Sequence, residues 1–290
     1  MKRDSFSSFH PMVGLFFFVL ALGFTMFFMH PVCLGISLAS GLAYSARLEG
    51  GRALARQLRY MLPLLLFTAL LNPLFNHQGD TALFCLPNGS PITLEAVAYG
   101  GAAAEMLLAV MVWFRCFGAV ITSDKFLCLF GRAAPALTLL LSMAFRFVPR
   151  FRTHMQDVSR AQQHTGGAQK LRGVLVAFSA TVTWALENAI ETADSMKGRG
   201  YGLPGRTAFS VYRFTRRDGA ALGCLLAAGA MVITGSLLGG TQFQFYPTLS
   251  GPLTAPLSVG VFAAFLLLCL FPLLVDLWED LKWSYFLSRT

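Results

Sequence analysis

Long apolar runs alternate with short polar segments along this chain of 290 residues. A helix needs about 20 apolar residues to cross the hydrocarbon core of a bilayer, and fewer where flanking side chains reach the headgroups. Six runs come close enough to this length to predict membrane spans: Pro11–Met29, Pro31–Ala46, Tyr60–Phe75, Ile92–Phe114, Gly219–Gly239 and Ala255–Leu277. The second and third runs are short, so their ends are the least well defined. The pattern predicts an all-α integral membrane protein with about six transmembrane helices.

Basic residues divide the connecting segments into two groups. Three segments contain no Lys or Arg, namely His30–Pro31, Asn76–Pro91 and Gly240–Thr254, and all 23 basic residues lie in the alternating segments and termini. Lys and Arg accumulate in short cytoplasmic loops. We therefore predict a multi-pass protein whose N and C termini are both cytoplasmic.

The segment between the fourth and fifth spans carries most of the charge. Residues 125–217 contain 14 Lys and Arg against 4 Asp and Glu, a net charge of +10, compared with +9 for the whole protein. Such a basic segment next to a membrane also attracts the anionic lipids of the bilayer. The chain therefore divides into residues 1–122 with four spans, a cytoplasmic region at 123–217, and residues 218–290 with two spans.

Two long amphipathic helices are predicted within the cytoplasmic region. Apolar residues recur every three or four positions from Leu137 to Val158 and again from Leu175 to Ala193. Pro149 should kink or split the first helix. Neither stretch is apolar on all sides for a comfortable span, so we expect both to lie along the membrane or under the spans. The alternative, a further span at Ala134–Phe147, is only about 20 Å long and too short for the bilayer core.

A glycine-rich basic sequence, SMKGRGYGLPGRT, follows the second helix at residues 195–207. Gly198 and Gly200 are typical of residues that end a helix in the left-handed conformation. Lys197 and Arg199 suit the negative end of the helix dipole. The simplest interpretation is a capped helix end.

The same sequence comes within one residue of a nucleotide-binding P-loop. Gly200–Thr207 fits the spacing, but Arg206 stands where a P-loop has a lysine, and the two side chains are poorly interchangeable at such a site. A P-loop also joins a buried strand to a following helix, whereas here a helix comes first. We therefore exclude ATP binding by this chain.

Residues 187–207, ENAIETADSMKGRGYGLPGRT, resemble the end of a coupling helix in the transmembrane T component (EcfT-like) of energy-coupling factor (ECF) transporters. That family has an acidic amphipathic helix, then a small residue-Arg-Gly tripeptide, Tyr-Gly and Arg-Thr. The residues in these places are Gly198, Arg199, Gly200, Tyr201, Gly202 and Arg206. Residues 146–167 resemble the family's first coupling helix, with a degenerate motif. There His164, Thr165 and Gly166 replace the usual Ala-Arg-Gly, and Arg160 lies about one turn earlier.

The resemblance implies a subunit of an ATP-driven importer that is not itself an enzyme. Two ECF ATPase subunits, which bind ATP and Mg²⁺, would dock on the ends of the coupling helices. A separate small substrate-binding membrane protein, the S component, would pack on other helices and tilt when the ATPases close. The implied process is vitamin or transition-metal uptake across a prokaryotic cell membrane. No cofactor, metal or nucleic acid is expected on this chain.

The two apolar stripes exceed what a single helix pair needs. Their candidate contacts with the S component are Leu137, Leu140, Phe151, Met155, Phe178 and Val182. Packing of these side chains under the chain's own spans is an equal alternative.

Glu105 lies near the middle of the fourth span, next to the small residues Gly100–Ala104. A carboxylate at this depth is costly and is a candidate functional group. It leaves open a self-sufficient secondary transporter that uses Glu105. Close helix packing at Gly100, Gly101 and Ala104, with an internal hydrogen bond to Glu105, is the simpler explanation. The sequence shows no internal repeat typical of such transporters and no nucleophile–base pair of an intramembrane hydrolase.

Overall fold

The protein is helical almost throughout the part that the computed structural model describes, residues 5–85, 91–131, 134–164, 170–204, 212–251 and 255–287. The α-helices of these ranges are α1 Pro11–Phe27, α2 Pro31–Glu49, α3 Gly51–Phe75, α4 Leu94–Val120, α5 Ser123–Phe130, α6 Pro135–His164, α7 Lys170–Gly198, α8 Arg216–Leu237 and α9 Pro256–Leu287. Strands β1 Ala82–Cys85 and β2 Pro91–Thr93 form an antiparallel pair between α3 and α4. A 3₁₀ turn at Phe6–Ser8 precedes α1.

The chain folds into two compact units. The first contains Met1–Thr122 and Arg213–Thr290, and the second contains Ser123–Tyr212. The first unit therefore combines residues from both predicted membrane regions, and the second contains α5, α6 and α7.

Five helices of the described ranges are long and apolar enough to cross a membrane by length and composition: α3, α4, the Gly173–Gly198 part of α7, α8 and α9. Helix α1 is apolar but has only 17 residues. Helix α2 is not among the five, because it contains three serines and ends in the charged Arg47 and Glu49. These findings support an all-α, multi-pass membrane protein. Helix α7 meets the composition criterion too, and its position along the membrane surface stays a prediction.

Several helices extend beyond the predicted spans. Helix α3 begins at Gly51 rather than Tyr60, and α9 continues to Leu287 rather than ending at Leu277. Neither added stretch contains a proline or an internal glycine, so the helix propagates through its polar residues. Of the arginines between the second and third predicted spans, Arg52, Arg56 and Arg59 therefore lie on α3, and Arg47 lies on α2.

Two His-Pro pairs begin α1 and α2. Pro11 and Pro31 occupy the first helical position, where a missing N–H costs nothing. The preceding His10 and His30 accept the backbone N–H two residues further on with Nδ1, each at 3.3 Å. These histidines therefore cap the helices.

An aromatic cluster forms the centre of the first unit. Phe17, Phe18 and Trp113 are fully buried and pack edge to face, with centroids of the Phe17 and Trp113 rings 5.5 Å apart. Trp113 Nε1 donates a hydrogen bond to Ser37 Oγ at 2.9 Å, and Ser37 Oγ lies 2.6 Å from Thr25 Oγ1. The polar atoms among these rings are thus paired, as burial in an apolar core requires.

Two buried carboxylates hold the N-terminal segment on the first unit. Asp276 Oδ1 accepts the backbone N–H groups of Ser5 and Phe6 at 2.9 and 3.1 Å. Asp218 accepts the His10 N–H at 3.0 Å and closes a capping box with Thr215 at the start of α8. These bonds tie the segment before α1 to α8 and α9.

We expect Asp276→Ala to lower the stability of the protein by about 2–4 kcal/mol, because two backbone N–H groups lose a charged acceptor. Asp276→Asn keeps a carbonyl oxygen at this position and should lose less. Thermal unfolding in one detergent, wild type beside both variants, measures the difference. Equal unfolding temperatures for all three proteins would contradict this role of Asp276.

Candidate functional site

Helices α6 and α7 form an antiparallel hairpin in the second unit. The His154 ring stacks on Trp184 with centroids 4.2 Å apart, and Phe147 stacks on the same indole at 5.9 Å. Further along, a Cβ added to Gly173 would lie 3.6 Å from Gln162 Oε1. Later residues of α6 therefore face earlier residues of α7, which makes the two helices antiparallel.

The seam departs from the predicted apolar stripe on α7, whereas on α6 the half-buried Phe151 and Val158 of the predicted stripe lie on the seam face. On α7 it follows Ala177 and Thr181, both fully buried, and then Trp184. On α6 the seam contains Phe147 and His154. The α7 side of the seam was not predicted, although residues 177, 181 and 184 have the helical spacing of four and three that could have revealed it.

The predicted contacts with the S component differ in their exposure. Leu137 and Leu140 are 62% and 63% exposed, and Phe178 is 51% exposed. Phe151, Met155 and Val182 are half-buried. On α7 the seam uses another face from Phe178, and the exposed Leu137 and Leu140 lie near the start of α6, so these side chains leave an apolar surface on the hairpin.

Helix α6 runs through Pro149 without a break, so the predicted split does not occur. A proline removes one backbone donor, and the remaining hydrogen bonds of a long helix can continue on both sides. Thr153 Oγ1 donates to the Pro149 carbonyl at 3.1 Å. The hairpin therefore has two helices of 30 and 29 residues.

The C-terminal end of α7 closes in a Schellman turn. Gly200 has φ +81°, and its N–H donates to the Lys197 carbonyl at 2.9 Å. The Tyr201 N–H donates to the Met196 carbonyl at 3.0 Å. These are the two bonds that define this helix end. The interpretation of residues 195–202 as a capped helix end agrees with this geometry.

Arg199 lies in this turn with its side chain in solvent. Its backbone N–H is shared between the Ser195 and Met196 carbonyls, each at 3.2 Å. The guanidinium makes no ion pair or hydrogen bond with any residue in the described ranges. A Cβ added to Gly198 or Gly202 would meet nothing within 4 Å. The turn thus presents an exposed cation flanked by glycines, and a partner surface can come close to the backbone there.

We expect Gly200→Ala to destabilise this turn by about 1–2 kcal/mol, because φ +81° is strained for a residue with a Cβ. The added Cβ would also lie 3.1 Å from Leu203 Cδ1. Gly198→Ala is the matched control, since Gly198 is the last residue of α7 and faces open space. Amide hydrogen exchange at residues 200 and 201 should accelerate only in Gly200→Ala. Unchanged exchange in that variant would contradict the role of the turn.

The degenerate first motif begins at the C-terminal end of α6. His164 is exposed there, and Arg160 is 72% exposed and pairs with Asp157 on the same helix at 3.6 Å. Thr165 and Gly166 of this motif, and Arg206 of the second, lie outside the described residues. Gly173 lies opposite Gln162, and the axial distance along α7 from Gly173 to Gly198 is about 38 Å. The two motifs therefore lie at opposite ends of the hairpin.

Helix α5 was not predicted from the sequence. Leu127 and Lys125 of this helix are buried, and Gly131 lies against the Leu127 carbonyl just before α6 begins. Tyr212, the last residue of this unit in the sequence, has a raised pKa. Burial is the main cause, and the nearby Asp124 carboxylate adds to it. The shift does not change the charge of Tyr212 at neutral pH, since an ordinary tyrosine is also protonated there.

Glu105 in the first unit lies beside a close helix contact. A Cβ added to Gly100 would be 2.6 Å from the Ala69 carbonyl of α3, and Ala104 is buried, whereas Gly101 faces open space. Glu105 is half-buried and makes no hydrogen bond with any residue in the described ranges. The predicted close packing is thus present at Gly100 and Ala104, without the internal hydrogen bond within these ranges.

No group of three or more His, Cys, Asp or Glu residues within the described ranges could hold a metal ion. Three cysteines of the first unit, Cys33, Cys116 and Cys269, are buried free thiols. These thiols pack as small apolar groups.

The fold and this hairpin define an all-α, multi-pass membrane protein whose second unit presents an exposed arginine at a helix end. No family model matches the chain. It is similar to the energy-coupling factor transporter transmembrane protein EcfT of Lacticaseibacillus paracasei, with 32% identity over 110 residues that cover 35% of this chain and 40% of that protein. It is also similar to the protein of the same name from Exiguobacterium sibiricum, with 28% identity over 105 residues, 33% of this chain and 40% of that protein.

The chain spans about two fifths of the length of these curated relatives. The two matches confirm the resemblance to the T component of ECF transporters that the sequence motifs indicated. A self-sufficient secondary transporter that uses Glu105 is not favoured.

Proposed function

We propose that this chain is the transmembrane energy-coupling subunit of an ECF-type ABC importer. It transmits the motion of partner ATPases through the α6–α7 hairpin to a separate substrate-binding membrane subunit, for uptake of a vitamin or a transition metal. The names of the two EcfT relatives support a component of an ECF transporter. We place the protein in a prokaryotic cell membrane with both termini in the cytoplasm.

The observation that carries this proposal is the exposed Arg199 in the turn that ends α7, whose guanidinium has no partner among the residues that the structure describes. A planar guanidinium can make a bidentate pair with a carboxylate of a partner, which fixes both position and orientation. Gly198 and Gly202 add no side chain that would keep the partner from the backbone. A displacement of the docked protein would move this helix end, and the helix would transmit the displacement along its axis.

The separation of the two motifs favours two docking partners. About 38 Å lies between the ends of the hairpin, so one small contact surface cannot cover both. We assign one ATPase to Gly198–Gly202 with Arg206, and the other to Arg160 and the residues His164–Gly166. ATP and Mg²⁺ belong to these ATPases, and the chain itself binds no cofactor.

We expect helices α6 and α7 to move together as a rigid unit. Trp184 stacks on both His154 and Phe147, so a displacement of α7 carries α6 with it. In this proposal the exposed side chains of Leu137, Leu140 and Phe178 contact the S component and move with the hairpin. Burial of such side chains at an interface with another protein is favourable by about 1.5–3 kcal/mol each.

The composition of the purified complex tests this proposal. The tagged protein is extracted in mild detergent from the cells that make it, and the proteins that accompany it are identified by mass spectrometry. A tagged membrane protein of unrelated fold is the control. We expect one or two P-loop ATPases and a small membrane protein. Isolation of the chain alone, together with solute uptake in liposomes without ATP, would contradict the proposal.

A further inference from the structure

Helix α3 is largely exposed on the first unit. Of its 25 residues, only Gln57 and Pro73 are buried. One side of the helix packs on α4, where the Ala69 carbonyl approaches Gly100. The opposite surface of α3 is therefore free to contact another molecule.

One exposed stripe follows this helix from end to end. Arg52, Arg56 and Arg59 are exposed and are spaced by four and three residues, which places them on one face. The same face continues through Pro63 and four large apolar side chains with these exposed fractions: Leu66 57%, Phe67 61%, Leu70 52% and Leu74 50%. The stripe thus changes from basic to apolar between Arg59 and Pro63.

The three arginines of the stripe have no acidic partner in the described ranges. Gly51–Phe75 contains no Asp or Glu, and none of the three guanidinium groups makes an ion pair or hydrogen bond there. Three other arginines of the first unit are paired: Arg47 with Asp280, Arg115 with Glu49 and Arg217 with Glu279. The stripe therefore presents three full positive charges.

The stripe is long enough to reach from the headgroup layer well into the hydrocarbon core of a bilayer. Arg52 and Arg59 are about 10 Å apart along the helix axis, and Pro63–Phe75 extends about 18 Å further. A headgroup layer is roughly 5–8 Å thick on each side of a hydrocarbon core of about 30 Å. The arginines can thus lie among headgroups while the apolar half lies among acyl chains.

We propose that this stripe is a binding site for anionic phospholipid. The guanidinium groups of Arg52, Arg56 and Arg59 bind headgroup phosphates, and the acyl chains lie along Leu66 and Leu70. Guanidinium and phosphate form bidentate, charge-assisted hydrogen bonds. A phospholipid supplies both the negative charge and the adjoining apolar chain in one molecule, in the order in which the stripe presents its partners.

Native mass spectrometry of the purified protein tests this site. The protein is equilibrated in detergent with equal amounts of phosphatidylglycerol and phosphatidylcholine, and the retained lipids are counted. Wild type should retain at least about three times more phosphatidylglycerol than phosphatidylcholine at low salt. The triple variant R52Q/R56Q/R59Q should lose most of this preference, and what remains comes from the basic segment at residues 125–217. The matched control R52K/R56K/R59K keeps the charge and should keep most of the preference.

Three results would overturn the site. They are no preference in wild type, an undiminished preference in the glutamine variant, or a preference that persists unchanged when a co-purified protein partner covers α3. Because the triple variant can fail to fold, Arg56→Gln alone is measured beside it and should lose part of the preference. An unchanged ratio in Arg56→Gln, with the triple variant unfolded, also counts against the site. The hairpin and Arg199 are untouched in these variants, so the proposed coupling function is tested separately.

Discussion

Replacing Arg199 by alanine is expected to weaken ATPase binding by about 30-fold or more and to abolish uptake. Truncating one partner of a desolvated charge pair costs about 2–5 kcal/mol, because the other charge remains buried without a partner. The guanidinium is exposed in the isolated chain, so its loss should leave folding and membrane insertion intact. The measurements are ATPase co-purification at a series of protein concentrations and ATP-dependent uptake in cells.

Arg199→Lys is the control for this prediction. A lysine keeps the positive charge but cannot make the planar bidentate pair, so binding should fall between wild type and Arg199→Ala. Lys197→Ala removes a neighbouring exposed charge and should have a smaller effect. Full uptake by Arg199→Ala would remove Arg199 from the mechanism.

Replacing Trp184 by alanine is expected to destabilise the hairpin by about 3 kcal/mol. The change removes a large side chain together with two aromatic contacts, to His154 and Phe147. The ends of α6 and α7 would then move independently, and ATP hydrolysis would no longer be coupled to transport. Hydrogen exchange along α7 should accelerate, whereas protection of α2 and α4 should not change.

Trp184→Phe preserves a ring at the same position and should restore most of the protection and the uptake. Trp184→Leu fills part of the same space without a ring. Comparing it with Trp184→Phe therefore separates the effect of ring stacking from the effect of side-chain volume. Equal hydrogen exchange on α7 in wild type and Trp184→Ala would show that the seam does not depend on this indole.

Much of the fold follows from the length of the apolar runs, but the ends of the helices do not. The runs before Tyr60 and after Leu277 are polar, and polarity alone suggested loops. In the structure α3 and α9 continue through them, because helix propensity rather than hydrophobicity decides where a helix ends in water. To predict where a helix ends outside a membrane, capping residues must therefore be considered together with the apolar pattern. Gly50, with φ +90° between α2 and α3, is one such residue.

The candidate site was predictable in its local chemistry but not in its packing. Gly200 and the basic residues around it specify the turn that ends α7, since few residues other than glycine accept φ +81°. The α7 side of the seam between α6 and α7 was not predicted, because small residues such as Ala177 and Thr181 carry little hydrophobic signal. They are buried because they allow the two helices to approach and let Trp184 reach across. The leucines with the strongest signal are the exposed ones.

Site-specific photocrosslinking from position 201 tests the coupling role most directly. Tyr201 is 45% exposed and follows Gly200 in the turn, so a photoreactive phenylalanine there should leave the helix end intact. Irradiation of intact cells, followed by mass identification of the crosslinked protein, should recover a P-loop ATPase. The same residue placed at Phe178 should instead recover a small membrane protein. Crosslinks from position 201 to lipid alone, in cells that carry out uptake, would contradict ATPase docking at the end of α7.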